Sequence, residues 1–251
     1  MTIKRIQELA RNVLLPLFFW ISILWIISLF KADYILPSPP SIASAFAQLC
    51  LTAAFWESIL FSLLRILGGL GIGVIAGIVV GILIHFFPIG AILLRPLLTI
   101  VRSTPVASVV ILVWSFTGGD ILPFVISAMM VLPIVADELS TGLSAADPSL
   151  GEMVELFHLS PYRRFLVYRL PAAIPYVFGA FTTAVGFAWK AGIAAEIIAI
   201  TDSSIGRKIY FSFTNSTIDQ LWAWTLTIII LSITLEFAVK KTLHYVRRKV
   251  L

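Results

Sequence analysis

The chain has 251 residues, 59% of them hydrophobic and only 12% charged, whereas a soluble domain carries about 25% charged residues. That balance excludes an ordinary soluble fold. The net charge of +5 does not point to nucleic acid either, because the bases cluster beside apolar runs, where a membrane surface accounts for them. A single cysteine, Cys50, excludes an intramolecular disulfide and a cysteine-based metal cluster, and reads as a small apolar packer.

Taken in chain order, apolar runs and breakers predict six spans, over about 13–30, 58–84, 89–116, 121–136, 172–198 and 220–239. A helix needs ~20 residues to cross ~30 Å of hydrocarbon. Basic residues precede the first run as in a signal peptide, but no small-x-small cleavage site follows Phe30, so Val13 to Phe30 is expected as a retained helix. Leu36-Pro37-Ser38-Pro39-Pro40 cannot continue that helix, and Gly118-Gly119-Asp120 makes a tight turn. Unpaired amides are too costly in lipid, and the solid runs lack the alternation of a barrel. The expected fold is an all-α membrane protein, one domain of six transmembrane helices.

Orientation follows from the bases in the loops. With the amino terminus inside, cytoplasmic segments hold Lys4, Arg5, Arg11, Arg95, Arg163, Arg164, Arg169, Lys240, Lys241, Arg247, Arg248 and Lys249, against Lys31, Arg207 and Lys208 outside. Both termini are therefore expected in the cytoplasm. Arg65, Arg102 and Lys190 fall within or at the edges of spans.

In the second span Gly69, Gly73, Gly77 and Gly81 recur every four residues and bare one helix face for close packing. Gly71 to Ala76 formally matches a dinucleotide-binding G-x-G-x-x-A, but inside an uncharged run it is a chance match. No G-x-x-x-x-G-K-[ST] occurs, so ATP use would come from a partner. Pro105, after Arg102-Ser103-Thr104, predicts a kink in the third span. Trp222 and Trp224 read as interfacial anchors. His85, His158 and His244 lie on separate segments without ligand spacing, so no metal site and no cofactor are assigned.

Ionisable groups inside spans are functional candidates by default. Lys190 either faces the substrate path or pairs with an acid on another helix, and an anionic solute would suit it. Glu196 is six residues on, about 1.7 turns, so the two do not face each other. It lies nearer the outer end and is a path candidate or a snorkelling side chain. Arg65, opening the second span, is the third path candidate.

The stretch 137–171 is the longest cytoplasmic loop and carries helix punctuation. Asp147-Pro148 reads as N-cap and first helical residue, and Ser160-Pro161 repeats the signal. Two short helices should meet near Leu159-Ser160. The first has Leu150, Met153, Val154 and Phe157 on one side and acids on the other, an apolar face that needs a cover.

Glu152 to Pro171 resembles the EAA loop of ABC importer permeases: Glu-Ala-Ala, three residues, Gly, nine residues, an aliphatic, any residue, Leu-Pro. Glu152 takes the Glu and Leu170-Pro171 fit, while Met153, Val154, His158 and Tyr168 depart from the pattern with the spacing kept. Leu36-Pro37-Ser38-Pro39, Ser62 to Gly69, and Ala188-Trp189-Lys190 with Ala194-Ala195-Glu196 resemble landmarks of the nitrate/sulfonate/taurine/bicarbonate group, over nearly the whole chain. The resemblance implies a type I importer permease fold in the bacterial inner membrane. It also implies a second permease copy, two cytosolic ABC ATPase subunits and an extracytoplasmic solute-binding protein. In such permeases the EAA segment is a coupling helix seated in a groove of the ATPase. Carried over, that role falls on Glu152, Met153, Val154, Glu155, Phe157, His158, Leu159, Ser160, Arg163 and Arg164. An apolar face rimmed by Glu152, Glu155, Arg163 and Arg164 suits such a docking plug; a loop folded back on its own membrane domain is the alternative. A transport subunit is thus expected, not an enzyme. Competing with it are a stand-alone secondary transporter or channel, which would show paired intramembrane acids or repeated halves, and a membrane scaffold.

Overall fold

The computed structural model describes residues 15–30 and 36–250. Lys4, Arg5, Arg11 and Lys31, on which part of the orientation rests, lie outside the described residues, as do the side chains of Arg247, Arg248 and Lys249. The described residues are helical wherever they are regular: α1 Leu15–Phe30, α2 Pro39–Cys50, α3 Ala53–Phe86, α4 Pro88–Ser103, α5 Val106–Thr117, α6 Leu122–Ser144, α7 Pro148–Leu156, α8 Pro161–Arg164, a π-helical turn Phe165–Arg169, α9 Leu170–Ala199, α10 Ile205–Thr214 and α11 Ile218–Val250.

Four helical stretches among them are long and apolar enough to cross a membrane: α3, α6, Pro161–Ala199 and Ile218–Tyr245; the pair α4 and α5 makes a fifth if read as one broken span. This is a multi-pass membrane protein. At 16 described residues, α1 coincides with the expected first span but falls short of the ~20 that span hydrocarbon.

The elements differ from the expected ones at three places. The third span is broken, not kinked: α4 and α5 meet at 108°. Thr104 is extended at φ −80° and ψ 131°, the conformation forced on a residue before proline, and Pro105 at φ −56° starts the next helix without a donor. α6 runs on to Ser144, so the stretch from 137 opens in helix, and Asp137 there pairs with Arg102. Pro39 and Pro40, expected only as helix breakers, begin a helix of their own, since the fixed φ of proline suits the first turn of α2.

The described residues fall into two compact units, one of positions up to Trp56 with Lys208–Ile229, the other of Glu57–Arg207 with Ile230 onward. In the first, Phe55 packs on Phe46 at 6.1 Å and on Trp224 at 5.1 Å between ring centroids. Trp224 is buried and thus not the interfacial anchor expected. In the second, α6 is the most buried of the long helices. Its Leu122, Ile126 and Met130 pack with Val109 and Val110 of α5 and Ala191, Ala195 and Ala199 of α9, and lower down Leu139 and Leu143 pack with Ala173.

The glycine face of α3 is what α6 occupies. A Cβ at Gly69 would stand 2.2 Å from the Phe124 carbonyl oxygen, and one at Gly73 would stand 2.7 Å from that of Ala128. Gly77 and Gly81 continue the seam against Val135 and Ala136. Backbones in lipid approach this closely only over small residues, since packing rather than the hydrophobic effect holds helices together there.

Candidate functional site

The ten residues expected to dock a partner form one hairpin. Asp147 caps α7, its Oδ1 accepting the Ser149 amide at 2.9 Å and the Ser149 hydroxyl at 2.8 Å. These bonds hold its carboxyl below the usual aspartate range. Ser160 Oγ accepts from the Arg163 amide at 3.5 Å and opens α8. Between the helices the chain turns at His158, whose φ of +48° is left-handed. Glycine adopts that conformation freely and is the usual residue there in the EAA pattern; histidine fills it here with the turn intact. The His158 amide donates to the Glu155 carbonyl at 3.0 Å.

Glu155 is paired across the hairpin with Arg164 at 2.7 Å. Tyr168, at the aliphatic position of the pattern, donates its hydroxyl to the Asp147 carbonyl at 2.9 Å and packs over buried Gly151, tying the π-helical turn to the base of α7. Sequence reasoning placed Tyr168 by spacing alone and missed this tether. Outward, Leu150, Met153, Leu156, Phe157 and Tyr162 are exposed, Leu156 and Phe157 by 78% and 70%. Glu152 and Arg163 are exposed beside them, Val154 and Leu159 partly buried. The surface is an apolar ridge with a charged rim.

Of the three expected path residues, Glu196 and Arg65 meet at one loop and Lys190 stands apart. Glu196 is fully buried, so it does not snorkel. Its Oε2 accepts the Ser62 hydroxyl at 2.8 Å and the Gly206 amide at 3.1 Å, and Ser62 Oγ in turn accepts the Ile205 amide at 3.0 Å. A carboxylate of α9 thereby fastens the start of α10 to α3. Arg65, one turn from Ser62, donates to the Asp202 carbonyl at 3.0 Å and secures the same loop. Thr201 Oγ donates to the Gly119 carbonyl at 2.9 Å, and Ile200 and Ser203 on either side take left-handed φ of 52° and 47°. Lys190 is apart from this latch. It is exposed on α9, and the nearby acid of α11, Glu236, is paired with Lys240 at 2.6 Å. Among the described residues no ion pair holds it, and of its two expected roles, facing the substrate path or pairing with an acid on another helix, the second is not seen.

A charged pair that the sequence did not single out sits at the α4–α5 break. Arg102 Nη2 is bonded to Asp137 Oδ2 of α6. A cavity of about 400 Å³ opens beside it, lined by Val101, Thr104, Met130, Ile134, Glu138 and Phe187 among others. The signal available was Asp137 itself: a search for every acid near a span end would have matched it to Arg102.

Broken and long helices around a glycine seam, with a capped apolar hairpin between two of them, define a polytopic helical membrane protein that presents a docking ridge. Residues 69–249 match the family described as "Binding-protein-dependent transport system inner membrane component", and the chain belongs to it. It is therefore an ABC transporter permease by family, and the stand-alone transporter and scaffold readings fall away. It is 28% identical over 213 residues to a probable ABC transporter permease protein of Haemophilus influenzae, covering 84% of this chain and 85% of that one. It is 31% identical over 169 residues to the bicarbonate transport system permease protein CmpB of Synechocystis, over 66% of this chain but only 60% of the relative's length. Other relatives carry names for nitrate import and aliphatic sulfonate transport. Among solved structures, an amino acid ABC transporter superposes with TM-score 0.64 at 16% identity, over 81% of this chain and 97% of that one, a likeness of fold.

Proposed function

We infer that this chain is one of two identical permease subunits of an ATP-driven importer in a bacterial cytoplasmic membrane. It has six spans and both termini inside. The α7–α8 hairpin seats on a cytosolic ABC ATPase, which binds and hydrolyses the nucleotide, while an extracytoplasmic binding protein delivers the solute. One observation carries this reading: a small hairpin, pinned at Asp147, His158 and Tyr168, holds its apolar residues outward. Rigid presentation of a ridge with a polar rim is what a protein–protein anchor requires. The loop-folded-back alternative would bury Leu156 and Phe157, which are among the most exposed apolar side chains of the hairpin.

The solute is read as a small anion. The names of the relatives support this, as does Lys190, an exposed cation on the long apolar helix α9. Arg65 and Glu196 are read as scaffold for the α9–α10 loop rather than as path. Membrane lipid covers the remaining apolar faces.

Phe157→Asp or Glu152→Arg is expected to abolish co-purification of the ATPase encoded with this chain, and uptake with it, while the permease still inserts and elutes as before. Unchanged recovery of the complex together with unchanged uptake would refute the docking assignment.

A further inference from the structure

A second cleft adjoins the cavity at the α4–α5 break. It measures about 280 Å³ and is lined by Arg95, Thr99, Arg102, Asp137, Ser140 and Thr141. Its walls are two helix stripes. Arg95, Thr99 and Arg102 recur at intervals of four and three on α4, and Asp137, Ser140 and Thr141 at three and one on α6. Residues so spaced share one helix face, so two polar stripes confront each other between otherwise apolar helices.

The charges do not cancel. Arg102 is bonded to Asp137, and among the described residues no ion pair holds Arg95. Two guanidinium groups and one carboxylate leave the cleft one positive charge in excess, beside the hydroxyls of Ser140 and Thr141 and that of Thr99, which donates to the Arg95 carbonyl at 2.9 Å. Guanidinium forks and hydroxyls together match the acceptor oxygens of an oxyanion. Arg102 and Asp137 line the cleft and the larger cavity alike, so a head group held in the cleft would direct its remainder toward Val101, Met130, Ile134 and Phe187. Glu138, which lines that cavity but not the cleft, disfavours a second negative charge there.

We propose that this cleft is a binding site for a monovalent oxyanion, held between Arg95 and Arg102, with Asp137 as the resident counter-ion that the ligand displaces. The assignment rests on reading this subunit as half of a translocation path. On the proposed orientation the cleft lies toward the cytoplasmic end. The same chemistry is offered by a transported solute and by the phosphate of an anionic lipid headgroup.

The test uses the permease–ATPase complex in phosphatidylcholine nanodiscs, titrated with sodium ethanesulfonate against sodium chloride at fixed ionic strength, with the unfolding midpoint as readout. The wild type should show a saturable rise. Arg95→Ala and Arg102→Ala should each weaken the apparent affinity at least tenfold, and Asp137→Asn should tighten it several-fold by removing the competitor. A structural ion pair predicts the reverse for Asp137→Asn. In parallel, nanodiscs containing phosphatidylglycerol are examined by native mass spectrometry. A response that persists in them identifies a soluble oxyanion as occupant. One that vanishes, with retained phosphatidylglycerol lost on Arg95→Ala, identifies the lipid; either supports the site. No saturable response together with no Arg95-dependent lipid retention overturns it, as does weakening by Asp137→Asn in a complex that still carries its ATPase. Retained ATPase in these variants separates failure of the cleft from failure of the docking reading, which the Phe157→Asp variant addresses alone.

Discussion

The α3–α6 seam and the α7–α8 hairpin are built from opposite uses of the same small set of rules. In the seam, side chains are removed so that backbones touch: Gly69 and Gly73 leave no room for even one added carbon. In the hairpin, caps and a left-handed turn spend local hydrogen bonds on holding large side chains away from the chain. Burial satisfies the first region from within, whereas the second leaves its apolar face uncovered by this chain. Apolar exposure that is rigidly presented therefore reads as an interface, and apolar exposure along a span reads as lipid contact.

The seam provides the largest expected effect. Gly73→Val would press its Cβ within 2.7 Å of the Ala128 carbonyl oxygen and 2.8 Å of Val131 Cβ, contacts that neither backbone can relieve. A cost above about 3 kcal/mol is expected, seen as loss of the monodisperse peak and a collapsed unfolding midpoint. Gly71→Ala, where a Cβ meets nothing within 4 Å, should leave both unchanged. If the two variants behave alike, the seam is not what sets this packing.

A smaller effect is expected in the hairpin turn. His158→Val places a β-branched residue at φ +48°, at a cost of about 1–2 kcal/mol to the turn, and His158→Gly relieves a similar strain. Hydrogen exchange of the 148–160 amides should quicken in the first variant and slow in the second, while the seam is unaffected. Equal exchange in both would break the contrast between a locally held hairpin and a tertiary seam.

The smallest effect is one of pH. Burial plays little part at exposed Asp147, and hydrogen bonds from Ser149 lower its pKa in the folded hairpin. A depressed folded pKa contributes stability that is complete above the unfolded value, about 4, and is lost as pH falls through the folded one. Exchange at the first turn of α7, relative to intrinsic rates, should be flat from neutrality down to about pH 5 and rise below about pH 4. Asp147→Asn should remove that rise, and a rise that survived would assign it to another group.

Much of this protein is legible in its sequence because membrane constraints are local. Twenty apolar residues must be helical in lipid, glycines at four-residue spacing must share a face, and Asp147-Pro148 and Ser160-Pro161 must begin helices, whatever surrounds them. The EAA spacing is likewise a run of neighbours, so the hairpin could be placed despite His158 and Tyr168. What only the tertiary structure decided involves partners distant in sequence. Glu196 is a buried latch because Ser62 and Gly206 converge on it, and Arg102 joins Asp137 across two helices. Trp224 is interior, packed on Phe55, and α6 continues to Ser144 past the expected end of its span. Charge and hydropathy along the chain mark which residues need such a partner, but the choice of partner depends on distances that exist only once the helices have packed.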